Sequence, residues 1–138
     1  MATFVLTDAH ISIAGVTLSD HGNQVTISYE AETQDDTVFG DGTRSEVGGL
    51  KNWSVEIQFL QDYASGSVDA TLFPIVGSAV SWEVRPTSAA RSATNPGYNA
   101  TGVVKSYQPL GQSVGDLAAA TVSLVPGGSA PTLLRSTA

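Results

Sequence analysis

The segment GQSVG, residues 111–115, matches the G-x-S-x-G pattern that carries the nucleophilic serine of α/β-hydrolases. In those enzymes the acid and the histidine of the triad follow the serine along the chain. Here both histidines, His10 and His21, precede Ser113, and the pattern lies between two predicted strands instead of at a strand-to-helix turn. The sequence therefore predicts a hairpin loop at Ser113 and no catalytic serine.

Acidic residues between the second and third predicted strands could hold a cation. Asp35, Gly40 and Glu46 stand at positions one, six and twelve of an EF-hand calcium loop. Position five is Phe39, which offers no oxygen ligand, and no predicted helices flank the segment. The two histidines have no third nitrogen or thiolate partner for zinc. We therefore expect no metal, no cofactor and no catalytic residue, and we interpret the acidic cluster as a solvated or interface surface.

The composition limits the classes of partner. The chain has 138 residues with 13 acidic and 6 basic side chains, a net charge of -7 that opposes adhesion to a phosphate backbone. Only 14% of residues are charged, against about 25% in a typical soluble domain, which indicates surface destined for burial against other chains. There is no cysteine, and therefore no disulfide framework.

The length predicts one domain, residues 1–138, with a core of its own. The first 15 residues contain neither a basic leader nor a long apolar run, so we expect no signal peptide. No window reaches the roughly 20 apolar residues that a membrane-spanning helix needs.

Alternation of apolar and polar residues is the main structural signal. In the strand around Trp53, apolar side chains at 53, 55, 57 and 59 alternate with polar ones at 52, 54, 56 and 58, which predicts one buried face. The same period predicts five further strands: His10–Leu18, with a turn or bulge at Gly15, Gln24–Ala31, Ala79–Arg85, Tyr98–Leu110 and Leu117–Val125. The predicted core consists of Val25, Ile27, Tyr29, Trp53, Val55, Ile57, Phe59, Val80, Trp82 and Val84.

Three segments interrupt the alternation. A helix is predicted from Ser67, its N-cap, and Pro74 keeps it short. Residues 32–49 show no period over 18 positions, which predicts a long loop, and the apolar Val38 and Phe39 within it need something to pack against. Residues 126–138 form a C-terminal tail of low complexity. The fold class is mainly β: a β-sandwich or barrel with one short flanking helix.

Several phrases together resemble one family. VTISYEA at residues 25–31, the long stretch from TVFGDGTRSEVGG to ATLFPIVG at residues 37–77, VRPTSAARSATNPGY at residues 84–98 and SVGDLAAATVSL at residues 113–124 are similar to major tail tube proteins of long-tailed bacteriophages, particularly those that infect actinobacteria. The resemblance covers residues 3–126 and rests on the order and spacing of these phrases.

The resemblance implies a structural virion protein. Such proteins form six-fold rings, each subunit a β-sandwich with a flanking helix, stacked into a hollow tube through which DNA passes without specific binding. Strands of neighbouring subunits join to line the bore, and the long loop reaches the adjoining ring. The implied partners are other copies of the chain, the tape measure, the tail terminator and the distal tail or baseplate. The implied location is the virion tail, assembled in the bacterial host cytoplasm, with no membrane.

Two sets of residues become candidates on this basis. Those for the contact between rings are Asp35, Asp36, Val38, Phe39, Asp41, Arg44 and Glu46. Glu30 and Glu56 are candidates for the bore, and the alternative is an ordinary outer surface or an ion pair with Lys51, Arg85 or Lys105.

A monomeric β-sandwich binding module, for instance for carbohydrate, is the alternative function. Its aromatic content of 7% is low for that role. The two tryptophans also lie on the apolar phase of their strands, where a core position is expected.

Overall fold

The computed structural model describes residues 3–137 of the chain. Within them the fold is mainly β with one short helix, as the alternation predicted. The elements are β1 (His10–Ile13), β2 (Val16–Thr17), β3 (Gly22–Asp35), β4 (Glu46–Leu60), α1 (Val68–Leu72), β5 (Ala79–Arg85), β6 (Gly97–Gln108), β7 (Ala119–Pro126) and β8 (Leu134–Ser136).

All eight strands belong to one antiparallel sheet: seven follow the order β2-β1-β5-β6-β7-β4-β3, and β8 pairs with β6 outside this order. The long strand β6 organises this order, because it pairs with β5 along one side up to Val103. Along its other side it pairs first with β8 and then with β7.

The sheet folds over itself to enclose the core. Trp53 on β4 and Trp82 on β5 are separated by two strands, which in a flat sheet would place them roughly 14 Å apart. Their ring centroids are 5.2 Å apart, so β4 and β5 face each other across the core, as in two layers of a barrel-like sandwich. Gly102 on β6 makes room for this packing, since a Cβ there would lie 2.6 Å from the Trp53 ring.

The predicted core phase of β4 is confirmed. Trp53, Val55, Ile57 and Phe59 are all at most 3% exposed, and Trp82 and Val84 of β5 are buried as well. Val25, Ile27 and Val80 are partly buried against this core. Tyr29 was placed in the core wrongly: it is 50% exposed, because the end of β3 leaves the body of the sheet.

Two local predictions are confirmed in part. Ala14 and Gly15 have φ angles of 55° and 81° and form the two-residue turn between β1 and β2, which agrees with the turn expected at Gly15. The helix begins after Ser67 and tightens into a 3₁₀ turn at Phe73–Ile75, around Pro74. The Ser67 side chain is not a helix cap, since its hydroxyl donates to Asp62 instead.

The predicted loop at residues 32–49 is wrong at both ends. β3 continues to Asp35 and β4 begins at Glu46, with Thr33 paired to Gly48, so only residues 36–45 are irregular. The physical reason is that backbone pairing forms this ribbon while both of its faces stay exposed. Because neither face is buried, apolar and polar residues do not alternate along the two strands.

The C-terminal segment, in which the sequence indicated no structure, lies along β6. The Thr101 N–H donates to the Ala130 carbonyl at 2.9 Å, and the Trp53 indole N–H donates to the Pro131 carbonyl at 2.6 Å. Leu133 packs against the core before β8 pairs with β6. Backbone groups make most of these contacts. The pattern of side chains in the sequence therefore did not predict them.

Candidate assembly surfaces

The β3–β4 hairpin extends beyond the folded body as an arm, residues 28–52. Every residue of the arm is exposed, on both faces of the ribbon. A two-stranded hairpin without a hydrophobic face to bury is marginally stable in water. The arm is therefore a surface that gains stability when another surface covers it.

The arm tip, residues 36–45, displays Val38 and Phe39, which are 67% and 107% exposed. Polar bonds shape the loop beneath them. The Val38 N–H donates to the Asp41 carboxylate at 2.9 Å, and Arg44 donates to Asp35 at 2.7 Å. Hydrogen bonds from Thr37 lower the pKa of Asp35. The structure thus places all seven candidates for the contact between rings at or beside the tip.

A second surface is the polar face of strands β3, β4, β7 and β6. The register pairs Glu30 with Asn52, Ser28 with Ser54 and Thr26 with Glu56. Since residues two apart share a face, the two glutamates lie on the same face. The members of this face are Gln24, Thr26, Ser28, Glu30, Asn52, Ser54, Glu56, Gln58, Ser106, Gln108, Thr121 and Ser123.

The two glutamates are exposed and face solvent. Within residues 3–137 neither lies within ion-pair distance of a basic side chain. The predicted alternative of a salt bridge to Lys51, Arg85 or Lys105 is therefore absent from the described part of the chain.

The four-stranded part of the sheet behind the polar face has two free edges. β3 pairs only with β4, and β6 pairs only with β7 from Lys105 to Gln108, as far as residues 3–137 show. Each edge strand carries one inserted residue: Asn23 in β3 and Lys105 in β6 lie at shifts of register. Unpaired edges are templates for strands of other chains.

His21 lies in the turn before β3 and contacts two carboxylates. Its Nδ1 lies 2.9 Å from Asp20 and its Nε2 lies 2.8 Å from Asp62, which also accepts the Ser67 hydroxyl at 2.8 Å. Together they join the turn before β3 to the start of α1. Asp62 is 41 residues from His21, so no local pattern could have revealed the contact.

In this cluster the pKa of His21 is raised and the pKa of Asp62 is lowered, so each residue stabilises the charged form of the other. Burial lowers the pKa of His21, but hydrogen bonds to Asp62 and Asp20 outweigh burial and raise it overall. The backbone N–H of Ala64, the Ser67 hydroxyl and His21 lower the pKa of Asp62. The His21 contribution to stability is full below its unfolded-state pKa of 6.5 and is lost as pH rises through the higher folded-state value. The contribution of Asp62 to stability is fully present above its unfolded-state pKa of 3.8. It is lost as the pH falls through the lower folded-state pKa.

A pH-dependent stability difference follows. We expect the wild type to exceed a His21→Gln variant in unfolding free energy by more at about pH 5.5 than at about pH 8, because His21 is charged at the lower pH. Urea unfolding of both proteins at the two pH values measures this. His10→Gln is the control: burial and Arg85 lower the pKa of His10, so its pH dependence has the opposite sign. An equal difference at both pH values would contradict the assignment.

The remaining chemical candidates are not assembled into a site. Ser113 is exposed in the β6–β7 loop, where its N–H donates to Asp116 at 3.3 Å, in agreement with the predicted hairpin loop. Among residues 3–137 no three His, Asp or Glu side chains gather where they could hold a metal ion. Across the same residues, no helix has the length and apolar character to cross a membrane.

Solved structures of the same fold come from tails and tubes. No protein-family model and no curated protein matches the chain. The SPP1 tail tube superposes with a TM-score of 0.70 at 10% identity, covering 95% of this chain and 77% of that one. The tail of an empty gene transfer agent particle, with C6 symmetry, superposes at 0.62 with 17% identity, over 83% of this chain and 82% of that one.

A third structure extends the likeness beyond those two tails. The sheath-tube complex of an extracellular contractile injection system, PVC, superposes at 0.64 with 13% identity, over 99% of this chain and 93% of that one. At these identities the likeness shows a shared architecture, and the chain has the tail tube fold.

Proposed function

We propose that this chain is the subunit of a hollow tail tube, a structural protein without enzymatic activity that forms six-fold rings stacked along the tail. One observation carries the proposal: in a chain with the tail tube fold, a four-stranded sheet with a polar face ends in two free edges.

The free edges support ring closure. If the β3 edge of one subunit pairs with the β6 edge of the next, six four-stranded sheets join into one closed barrel, and both of these free edges become paired. The gene transfer agent tail, which shares this fold, has the C6 symmetry that such a ring needs. The polar faces of all six sheets then line the bore.

The chemistry of the polar face suits the passage of DNA. Its paired residues are hydroxyl and amide side chains with two carboxylates and no basic side chain, and the exposed Lys105 lies outside these pairs, at the bulge in β6. A wall with more carboxylates than cations binds phosphates weakly, so DNA can move along it. The part of the arm beyond the paired Glu30 and Asn52 in turn supports contact with the adjoining ring, since it has two exposed faces and an apolar tip.

On this proposal the subunit belongs to a virion tail and is assembled in the bacterial host cytoplasm. Its partners are further copies of itself along the tube, the tape measure within it, and the tail terminator and the distal tail or baseplate at its ends. The alternative, a carbohydrate-binding module, is disfavoured because Trp53 and Trp82 are 3% and 2% exposed and offer no surface for a sugar ring.

Electron microscopy of the purified protein tests the proposal. We expect six-fold rings and tubes with a central channel, formed without any other tail protein. A protein that stays monomeric at every concentration and salt, as sedimentation measures it, would overturn the proposal.

The bore assignment predicts a charge effect on DNA ejection. Replacing Glu30 and Glu56 by Lys turns circles of negative charge into circles of positive charge, whose reach is about 8 Å at physiological salt. We expect tubes of normal length but slower ejection, most of all at low salt. Particles with Glu30→Gln and Glu56→Gln are the size-matched control, with an intermediate rate. Equal ejection rates at all salt concentrations would place both residues outside the bore.

A further inference from the structure

An exposed apolar surface lies at the end of the sheet opposite the arm. It is formed by two loops, residues 61–66 after β4 and residues 109–118 between β6 and β7, and we call it the loop pole. The Gln61 side chain joins the loops by donating to the Pro109 carbonyl at 2.7 Å, and the Gln61 N–H donates to the Ala118 carbonyl at 3.0 Å. Four large apolar side chains of the loop pole are at least 60% exposed: Tyr63, Leu110, Val114 and Leu117.

Strand directions fix the loop pole and the arm tip at opposite ends of the molecule. β4 has 15 residues and spans about 50 Å, from Glu46 in the arm to Leu60, where the loop pole begins. Leu60 pairs with Ala119, the first residue of β7, so the β6–β7 loop lies at the same end. The chain thus presents an exposed apolar tip at one end of β4 and an exposed apolar surface at the other.

We infer that the loop pole receives the arm tip of a second copy of this chain in the adjoining ring, an inference that rests on the proposed tube function. If rings stack in one direction along the tube, the arm end of each subunit faces the opposite end of the next; a C6-symmetric tail obtained by helical refinement shares this fold. Phe39 and Val38 of the tip then bury their side chains against Val114, Leu110 and Leu117. The contact is heterologous, and its repetition along one axis lengthens the tube.

Charge opposes this contact, which gives it a salt dependence. Residues 35–46 carry four acidic side chains and one basic one, and the loop pole carries Asp62 and Asp116 with no basic residue. Docking therefore brings two negative surfaces together, and apolar burial has to outweigh their repulsion. Because salt screens the repulsion, we expect tubes to form at a lower subunit concentration in about 0.5 M salt than in about 0.05 M salt.

The absence of cysteine from the sequence allows a direct test by crosslinking. Phe39→Cys and Val114→Cys are introduced together, tubes are assembled under reducing conditions, and oxidation is followed by denaturing electrophoresis. We expect a ladder of disulfide-linked chains in tubes and little linkage in unassembled subunits. The matched control pairs Phe39→Cys with Ala89→Cys, an exposed position in the β5–β6 loop towards the arm end of the sheet. It should give no ladder.

A charge variant tests the same surface without new covalent bonds. Val114→Glu with Leu117→Glu should raise the subunit concentration at which tubes appear by about tenfold or more, while rings still form, since apolar contacts are lost and repulsion grows. Tubes that form normally in this variant, or tubes of the cysteine pair that give no ladder, would overturn the inference and leave the proposed function standing. A wild-type protein that forms neither rings nor tubes would overturn both.

Discussion

A subunit with a shortened arm folds normally and forms no tubes: this is the expected result of replacing residues 37–44 by Asn-Gly. The flanking residues Asp36 and Ser45 are already joined by a backbone hydrogen bond of 3.1 Å, so a two-residue turn closes the hairpin without strain. The change removes Val38 and Phe39, the apolar side chains that the arm offers to another subunit. Because no residue from 36 to 45 is buried, the core loses nothing.

Circular dichroism and electron microscopy together measure the two parts of this result. For the shortened protein we expect a native circular dichroism spectrum, and electron micrographs that show rings but no tubes. Gly42→Ala is the control, because an added methyl group there meets no atom within 4 Å, and it should form tubes as the wild type does. Tubes of normal length from the shortened protein would show that the arm tip is dispensable for stacking.

Ile57→Ala should lower the unfolding free energy by about 2–5 kcal/mol. Ile57 is fully buried near the C-terminal end of β4, between β3 and β7, where the loss of its side chain leaves a cavity that the surrounding strands cannot fill. Urea unfolding at concentrations below those that permit assembly measures the effect. Such a loss is a large fraction of the 5–15 kcal/mol that stabilises a typical domain.

The control for Ile57 is a residue on the other face of the same strand. Ser54→Ala changes an exposed residue of the polar face and should alter the unfolding free energy by less than about 0.5 kcal/mol. If Ile57→Ala had an equally small effect, the apolar phase of β4 would not form the interior, and the assignment of the polar face would fail with it.

Sequence alternation predicted those elements whose two faces meet different surroundings. The bounds of β5, Ala79–Arg85, agree with the prediction at both ends, and the buried phase of β4 is correct at all four positions. Such strands have one face against the core and the other in solvent, and the period of two follows directly from that difference. The turn between β1 and β2 was predicted from Gly15 alone, whose φ of 81° needs the backbone freedom of glycine.

The parts of the structure that the sequence did not predict have no such difference between a buried face and a solvent-exposed face. The arm is exposed on both faces, so residues 32–35 and 46–49 showed no period although they form strands. The contacts of His21 with Asp62 and of Trp53 with Pro131 join residues 41 and 78 positions apart, and only the tertiary fold brings them together. The acidic and apolar residues of the arm tip were identified from the sequence, whereas the loop pole was not, because its apolar residues are scattered through a polar loop.

The inserted residues at the two free edges have a consequence for fidelity in a cell that produces more than one kind of tail. A register shift at Asn23 and another at Lys105 give each edge an irregular outline. A foreign subunit with a regular edge would leave backbone groups unpaired at each shift, at a cost of about 1–3 kcal/mol for each buried group. Subunits of different tails would therefore sort by kind, and chimeric tubes would be rare even where both are abundant.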